Sequence, residues 1–297
     1  MNPDIYQGIT LLNQRQQFKD LLADQEPIFA PLCLDALSSR IVADCGFGAG
    51  YVSGGALGYA NAVSEALLTL SELADTTRHI TLRSDLPVIV DGGVGFGDPV
   101  HVARTIWEIE ATGAVAIEIE DQVAPKRVSH HRGIEHLISK AEMVQKIEHA
   151  VAARSDPGFQ IIARTGAVKN ETFDDAVDRG NAYRKAGADI IMLMPQTDDE
   201  WERAPAVIDA PLAAITSLDA RTADEWKALG WQLIIDPFTA QVVAVDAVRN
   251  AYRQFQMTGK TGLSTKKIFE TYRQLPQLAG LDRLFEIEDQ TTEKKDA

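Results

Sequence analysis

The chain has 297 residues, of which 45% are hydrophobic and 24% are charged, and its formal net charge at pH 7 is −14. This composition is typical of a globular protein, and so large an excess of acid argues against nucleic-acid binding. Two cysteines are too few for a disulfide framework. No apolar run approaches the roughly 20 residues that cross a bilayer, and the first residues do not form a secretion signal. We therefore expect a cytoplasmic protein without membrane contact.

Short apolar runs alternate with amphipathic stretches along most of the chain. The runs are almost continuously apolar, which is typical of parallel strands that are buried on both faces. In chain order, the predicted strands are 28–32, 50–53, 86–91, 114–120, 160–164, 189–194, 211–215 and 232–235. The helix predicted after the first strand ends near 43. The helices predicted after the other seven strands cover, in chain order, 64–83, 99–112, 139–154, 173–186, a short stretch near 200, 222–229 and 239–256.

These eight strand–helix units predict a closed (β/α)8 barrel, the TIM-barrel fold. Gly46, Gly113 and Gly187 each follow an amphipathic stretch and precede an apolar run, as glycines that end helices do. We assign residues 1–256 to the barrel domain. Residues 257–297 are predicted to form a C-terminal helical extension, with a linker at 257–262, short helices at 264–273 and 281–287, and a polar tail.

A TIM barrel carries its active site at the C-terminal ends of its strands, so the residues that end the predicted strands are candidates for function. The third strand ends at Asp91 and the fourth at Glu120. Both are hard carboxylates, which can share a Mg2+ ion through oxygen and water ligands. The fifth strand ends at Arg164, whose planar guanidinium can bind a substrate carboxylate through two parallel hydrogen bonds.

Further polar groups follow the second and fourth strands. The amides of residues 53–55, Ser-Gly-Gly, can bind another carboxylate because glycine permits close approach. Lys126, Arg127 and His130 follow the fourth strand and concentrate charge that a buried strand does not need for folding. The glycine-rich segment 92–97 lacks the spacing of a dinucleotide-binding loop, so we predict only a tight turn there.

These residues also have structural interpretations. Asp91 and Glu120 can end strands or cap helices, and Arg164 can pair with Glu120. The presence of charged or polar groups at four consecutive strand ends favours a functional site over coincidence.

Eight short sequence motifs resemble those of a known family. They are YVSGG at 51–55, LPVIVD at 86–91, GFG at 95–97, VART at 102–105, IEDQV at 119–123, KR at 126–127, SKAEMV at 139–144 and IART at 162–165. Together they resemble the isocitrate lyase and phosphoenolpyruvate mutase superfamily, and most closely its 2-methylisocitrate lyase branch. The resemblance extends from about Phe29 to beyond Tyr252.

The resemblance implies a barrel whose eighth helix is exchanged between subunits of a dimer or tetramer. It also implies Mg2+, with Mn2+ as an alternative, and cleavage of a C–C or P–C bond beside a carboxylate, with an enolate that the metal and an arginine stabilise. By position, the metal residues are Asp91 and Glu120, the catalytic residues are Lys126, Ser129, His130 and Arg164, and the substrate-binding residues are Tyr51, Ser53, Gly54, Gly55, Arg164, Gln196 and Thr216.

The chain departs from the family pattern at several positions. Val128 stands where the lyases have the cysteine that protonates the enolate, and it has no proton to donate, so we expect Ser129 or His130 to take this role. Neutral residues occupy further positions that are usually acidic, which predicts weaker Mg2+ binding. These neutral residues are Ser64, Gly93, Gly166 and Gln196.

The leading prediction is a Mg2+-dependent, lyase-like enzyme that cleaves a C–C bond in a small 2-hydroxy or 2-oxo di- or tricarboxylic acid through an enolate, with atypical acid chemistry. Because of Val128, we do not expect ordinary isocitrate or methylisocitrate cleavage. One alternative is a phosphonopyruvate-type P–C mutase or hydrolase, since that branch also lacks the loop cysteine. Another is a non-catalytic paralogue with a degraded metal site.

Overall fold

Eight parallel strands form a single sheet in the computed structural model, which describes residues 11–24 and 26–292, with side chains from residue 14 onward. Neighbours in the sheet follow the order β1-β8-β7-β6-β5-β4-β3-β2. The strands are β1 Ile28–Pro31, β2 Gly50–Val52, β3 Val88–Asp91, β4 Ala116–Glu120, β5 Gln160–Arg164, β6 Ile190–Met192, β7 Leu212–Ile215 and β8 Leu233–Asp236. A parallel bridge between Leu32 and Tyr51 joins the two ends of the sheet. The predicted (β/α)8 barrel is thereby confirmed.

Helices surround the sheet and alternate with its strands along the chain. Three 3-10 turns, Glu65–Leu67, Val128–Arg132 and Leu218–Ala220, lie in the connections. The helices are α1 Leu11–Ala23, α2 Ala36–Asp44, α3 Gly54–Ala60, α4 Leu70–Thr81, α5 Pro99–Glu110, α6 Lys140–Ala153, α7 Ala167–Asn170, α8 Phe173–Lys185, α9 Asp198–Val207, α10 Ala223–Leu229, α11 Thr239–Thr258, α12 Thr265–Leu278 and α13 Asp282–Gln290. None of the described helices is long and apolar enough to cross a membrane.

The prediction of one helix over residues 64–83 is wrong at its start. A separate helix, α3, begins directly after β2, because the Ser53 hydroxyl accepts a hydrogen bond from the Ala56 amide at 3.2 Å and caps it. The main helix, α4, begins only at Leu70, after Thr69 and Glu72 have formed a reciprocal capping box. The loop after β2 therefore contains more ordered structure than its glycines indicate.

Side chains alternate along β4 between the barrel interior and the layer under the helices. Ile117 and Ile119 belong to the hydrophobic cluster that includes residues of α5 and α6, whereas Ala116 belongs to the cluster of inward-facing strand residues. Because the side-chain period of a strand is two, Glu118 and Glu120 lie on the same side as Ala116. The fourth strand therefore directs two acids into the barrel.

The three glycines predicted to end helices have the required backbone conformation. The φ angles of Gly46, Gly113 and Gly187 are 87°, 93° and 107°. These values lie in a region that other residues rarely adopt, so each glycine allows the chain to turn from a helix towards the next strand.

The chain divides after Thr239 into two compact units. In the second unit, α11, α12 and α13 have no buried residue among those described. Helix α11 continues two residues beyond the predicted end at 256, and the two predicted extension helices are present and longer than expected. The domain boundary after residue 256 and the exchange of α11 between subunits stay predictions.

Candidate functional site

The two inward-facing acids of β4 form the base of the site together with Arg164. Glu118 and Glu120 are 0% and 1% exposed, and a buried carboxylate is costly unless it is paired and hydrogen-bonded. Arg164 lies opposite Glu120 in the register between β4 and β5. Its guanidinium donates to Glu118 Oε1 at 3.0 Å, and its Nε lies 3.8 Å from Glu120 Oε2. Arg164 thus forms ion pairs with both acids.

Tyr51 completes the environment of Glu118. Its hydroxyl donates to Glu118 Oε2 at 2.5 Å, so both oxygens of this carboxylate have a partner. Burial raises the pKa of Tyr51 well above its ordinary value, and the negative charges of Asp91 and Glu118 raise it further. The phenol therefore stays protonated and acts as a donor.

Lys126 approaches Glu120 from the loop after β4. Its ammonium lies 2.5 Å from Glu120 Oε1 and also forms an ion pair with Glu65. Burial would lower the pKa of Lys126, but the two acids outweigh it and hold the pKa above its ordinary value. Gln122 donates to the other oxygen, Glu120 Oε2, at 2.9 Å. Glu120 is therefore held by side chains from its own strand and loop.

Glu65 is a site residue that the sequence did not predict. Ser64 is neutral at a position that is usually acidic in the family, but the next residue, Glu65, turns its carboxylate towards Lys126. Burial would raise the pKa of Glu65, but the hydrogen bond from His130 and the charge of Lys126 hold it at about 2. The acid is thus supplied one position later than the family pattern indicates.

His130 lies beside Glu65 on the 3-10 turn after Lys126. Its Nδ1 is 2.7 Å from the carbonyl oxygen of Arg127, and its Nε2 is 2.6 Å from Glu65 Oε1. Both partners are acceptors, so both ring nitrogens carry a proton. Burial would lower the pKa of His130, but these partners raise it above its ordinary value. The ring is therefore a cationic proton donor held at the edge of the site.

The residues around His130 on the same turn differ in their exposure and in their hydrogen bonds. Ser129 is half-buried, and its hydroxyl forms no hydrogen bond with any described residue. Val128 is 53% exposed and has no acidic proton. His131 anchors the turn, because its Nε2 lies 2.8 Å from the Ser64 hydroxyl and its Nδ1 lies 3.0 Å from the Tyr59 hydroxyl. Of the two predicted acids, His130 is the one that contacts another site residue, Glu65.

Asp91 ends β3 and is fixed by two backbone amides. Gly54 N donates to its Oδ2 and Gly93 N donates to its Oδ1, each at 3.0 Å. Burial raises the pKa of Asp91 to about 7, and the nearby charges of Glu118 and Glu65 add to the effect. Burial is therefore the main reason why Asp91 binds a proton more readily than an exposed aspartate does.

Asp91 and Glu120 fit a loosely held divalent cation. Over the described ranges, no three His, Cys, Asp or Glu side chains are arranged to hold a metal ion. Mg2+ needs no such cage, since it keeps several waters and binds through one or two carboxylates and the substrate. Glu120 Oε1 lies 2.5 Å from the Lys126 ammonium, so a cation bound at Glu120 would share this carboxylate with Lys126. A cation would also stabilise the ionised form of Asp91, whose pKa is raised by burial and by the charges of Glu118 and Glu65.

The remaining predicted substrate-binding residues are less closely grouped. Ser53 serves as the helix cap of α3, and its neighbour Gly55 is half-buried beside Glu65. Gln196 is exposed and donates to the Met194 carbonyl at 2.7 Å. Thr216 follows β7 and donates its amide to Ile235 O at 2.9 Å. The structure brings Gly54 to Asp91 but does not bring Gln196 or Thr216 to it.

A cavity of about 730 Å³ opens beside these groups, between the loops after β2, β3 and β4. Tyr51, Glu120 and Arg164 do not line it. Site residues at its wall are Gly54, Glu65, Asp91 and Lys126. A ligand in this cavity would meet the carboxylate of Asp91 and the ammonium of Lys126 at one end.

Known proteins share both the sequence and the fold of this chain. Residues 18–256 match the phosphoenolpyruvate phosphomutase family. A 2,3-dimethylmalate lyase from Eubacterium barkeri is 33% identical over 93% of this chain and 98% of that protein. A 2-methylisocitrate lyase from Aeropyrum pernix is 37% identical over 81% of this chain and 79% of that protein. A solved structure of phosphonopyruvate hydrolase with oxalate and Mg2+ has a TM-score of 0.83 and 28% identity, and covers 94% of this chain and 99% of its own.

These matches confirm the family resemblance that was inferred from the eight sequence motifs. The family match spans most of the chain, and the two lyases are more than 30% identical to it over most of its length. The chain therefore belongs to the phosphoenolpyruvate phosphomutase family, within the isocitrate lyase superfamily, and it is an enzyme of the carbon–carbon lyase type.

Proposed function

We propose that the chain is a Mg2+-dependent lyase that cleaves a C–C bond in a small 2-hydroxy or 2-oxo di- or tricarboxylic acid and releases an enolate. The observation that carries the proposal is the convergence of Asp91, Glu120 and Arg164 at the C-terminal ends of three adjacent strands. When bound, Mg2+ or Mn2+ would act as a Lewis acid beside the scissile bond. The related phosphonopyruvate hydrolase structure contains Mg2+ with oxalate, which supports this cofactor.

The chain's own residues then divide the remaining work. Arg164 is permanently charged and fixed on Glu118, so it can stabilise the negative charge that develops on the enolate oxygen without reorganising. Lys126 can bind a substrate carboxylate. The Gly54 amide lies at the same edge of the site and is oriented by its hydrogen bond to Asp91. His130, protonated on Nε2, replaces the family cysteine as the group that protonates the enolate.

A second candidate is a phosphonopyruvate-type reaction at a P–C bond. It is favoured by Val128, which matches the absence of the loop cysteine in that branch, and by the similarity to phosphonopyruvate hydrolase. A non-catalytic role is disfavoured because the acids, Lys126 and Arg164 remain together and paired.

We also propose that the protein is a homo-oligomer. The three C-terminal helices expose many apolar side chains, and exposed apolar surface of this extent marks an interaction site. Light scattering coupled to size-exclusion chromatography will measure the mass, and we expect a dimer or tetramer. A monomer at micromolar concentration would overturn this proposal. The exposed apolar residues are Val242, Val243, Val245, Val248, Tyr252, Phe255, Met257, Ile268, Phe269, Tyr272, Leu284 and Phe285.

The central experiment is an assay of 2-hydroxy and 2-oxo di- and tricarboxylic acids with Mg2+, with chelator, and with the Glu120→Gln variant. We expect chelator and variant each to reduce turnover at least about 100-fold, because both remove charge stabilisation in the transition state. The half-exposed Glu108→Gln, whose acid pairs with Arg104, is the matched control and should keep full activity. Unchanged turnover in Glu120→Gln would overturn the metal assignment. Phosphorus NMR with phosphonopyruvate identifies the alternative reaction.

A further inference from the structure

Lys146 is a buried cation that the proposed chemistry does not use. It lies on α6, is 4% exposed, and donates from Nζ to the Val94 carbonyl at 2.9 Å. No carboxylate of the described residues lies within ion-pair distance of it. Burial lowers the pKa of Lys146, and the more distant acids only partly compensate. A buried ammonium with a single neutral partner is costly, and that cost falls when an anion binds.

Two acids that line the cavity together with Lys146, namely Asp98 and Glu142, cap helices. Asp98 accepts hydrogen bonds from two amides at the start of α5 and lies 2.7 Å from the ring Nδ1 of His101. Glu142 accepts from the amide and the hydroxyl of Ser139 at the start of α6. Neither carboxylate forms an ion pair with Lys146, so the ammonium keeps unused hydrogen-bonding capacity.

Lys146 and Asp91 line the same cavity and are linked through one loop. Gly93 donates its amide to Asp91, and the next residue, Val94, accepts the hydrogen bond from Lys146. A Cβ atom at Gly93 would meet nothing within 4 Å, so the space beside Gly93 is open. A ligand with one end at Asp91 and Lys126 can extend past Gly93 towards a second cation.

We propose that Lys146 binds the distal carboxylate of an extended di- or tricarboxylic acid, and that this residue selects long substrates over short ones. The inference rests on the proposed function, which places the reacting end of the substrate near Asp91. A substrate of this kind carries one anionic group at the barrel mouth and a second anionic group that the Lys146 ammonium on α6 neutralises. Short acids such as oxalate reach only the first.

The competing interpretation is that Lys146 merely fixes the loop after β3 through Val94. Lys146→Gln separates the two roles, since an amide can still donate to the Val94 carbonyl but carries no charge. Lys146→Met removes both the charge and the donor. Lys140→Met on the same helix is the matched control, because Lys140 is exposed and pairs with Asp178.

Calorimetric titration with oxalate and with tricarballylate, both in the presence of Mg2+, will test the proposal on the full-length protein. We expect Lys146→Gln and Lys146→Met to raise the dissociation constant of tricarballylate at least about tenfold, the value of one charged hydrogen bond, and to leave that of oxalate within about twofold. Lys140→Met should change neither constant.

The outcomes distinguish this inference from the proposed function. If oxalate binds and tricarballylate affinity is the same in wild type and Lys146→Gln, the role of Lys146 is overturned while the proposed function stands. If the variants weaken both ligands equally, Lys146 is a structural residue and the inference is also overturned. If oxalate does not bind the wild type but tricarballylate binds and depends on Lys146, the proposed reacting end is wrong and the cation site is supported. If neither ligand binds the wild type, both proposals fail.

Discussion

Glu65 and Lys126 form an ion pair that joins the loop after β2 to the loop after β4. Both side chains are largely buried, and the same Glu65 oxygen contacts His130 Nε2 at 2.6 Å. The positions of the lysine at Glu120 and of the candidate proton donor therefore depend on an acid from another part of the barrel mouth.

Glu65→Gln tests this dependence. The variant keeps the side-chain shape but removes the charge that holds Lys126 and His130. We expect the free energy of unfolding to fall by about 1 to 3 kcal/mol and kcat/KM to fall at least about tenfold, because two buried cations lose their shared partner. Urea unfolding and steady-state kinetics measure both. Wild-type kinetics in this variant would contradict a role for Glu65 in placing the loop.

The pair of Glu65 and His130 gives stability a defined pH dependence. The pKa of Glu65 is lowered from 4.5 to about 2, so its contribution is complete above pH 4.5 and is lost as the pH falls towards 2. The pKa of His130 is raised from 6.5, so its contribution is complete below pH 6.5 and is lost as the pH rises through the raised value. Both contributions are complete between pH 4.5 and 6.5.

His130→Gln should therefore lower the free energy of unfolding most between pH 4.5 and 6.5, by about 1 to 2 kcal/mol. The difference from wild type should shrink as the pH rises through the raised pKa of His130, because the folded imidazole then loses its proton. Urea unfolding at a series of pH values gives this difference directly. A difference that is constant from pH 5 to pH 9 would contradict the assignment of charge to His130.

Tyr51→Phe removes the hydroxyl that donates to Glu118 and leaves a buried carboxylate oxygen without its donor. We expect a loss of about 1.5 to 3 kcal/mol in the free energy of unfolding, the range for a hydrogen bond to a charged group. Tyr272→Phe is the control, because Tyr272 is 67% exposed and its change should not be measurable. Equal effects of the two substitutions would show that the Tyr51 hydroxyl does not stabilise Glu118.

Arg164→Met removes the cation that pairs with two buried acids. Leaving buried charges without a partner costs about 3 to 5 kcal/mol, so we expect this variant to be severely destabilised. Arg164→Lys keeps the charge but not the planar fork, and should recover part of the stability while activity stays low. Thermal unfolding and turnover compare the two, with the half-exposed Arg203→Met as control. Full activity in Arg164→Lys would show that only charge matters at this position.

Most of the fold could be predicted because parallel strands buried on both faces leave near-continuous apolar runs. Helix α3 could not, since glycines disfavour a helix and the cap formed by Ser53 becomes visible only in three dimensions. Asp91, Glu120 and Arg164 could be predicted because they end strands.

Two acids of the site could not be predicted, for different reasons. Glu118 lies inside an apolar run, and only its spacing of two residues from Glu120 indicates a shared face. Glu65 follows the position at which the resemblance places an acid, and only the backbone of the 3-10 turn orients it towards Lys126. Gln196 and Thr216 follow the correct strands, but strand order alone does not determine whether a side chain reaches the cavity.

The alternation of acids and isoleucines along β4 has a consequence for engineering. Insertion or deletion of one residue ahead of Glu118 in this strand would turn Glu118 and Glu120 outward, so the direction of both acids depends on the register of β4. The following segment begins and ends at an antiparallel bridge between Gln122 and Leu137. This segment contains Lys126 and His130, so replacing it would exchange the lysine at Glu120 and the candidate proton donor together, while Glu118 and Glu120 stay in place on β4.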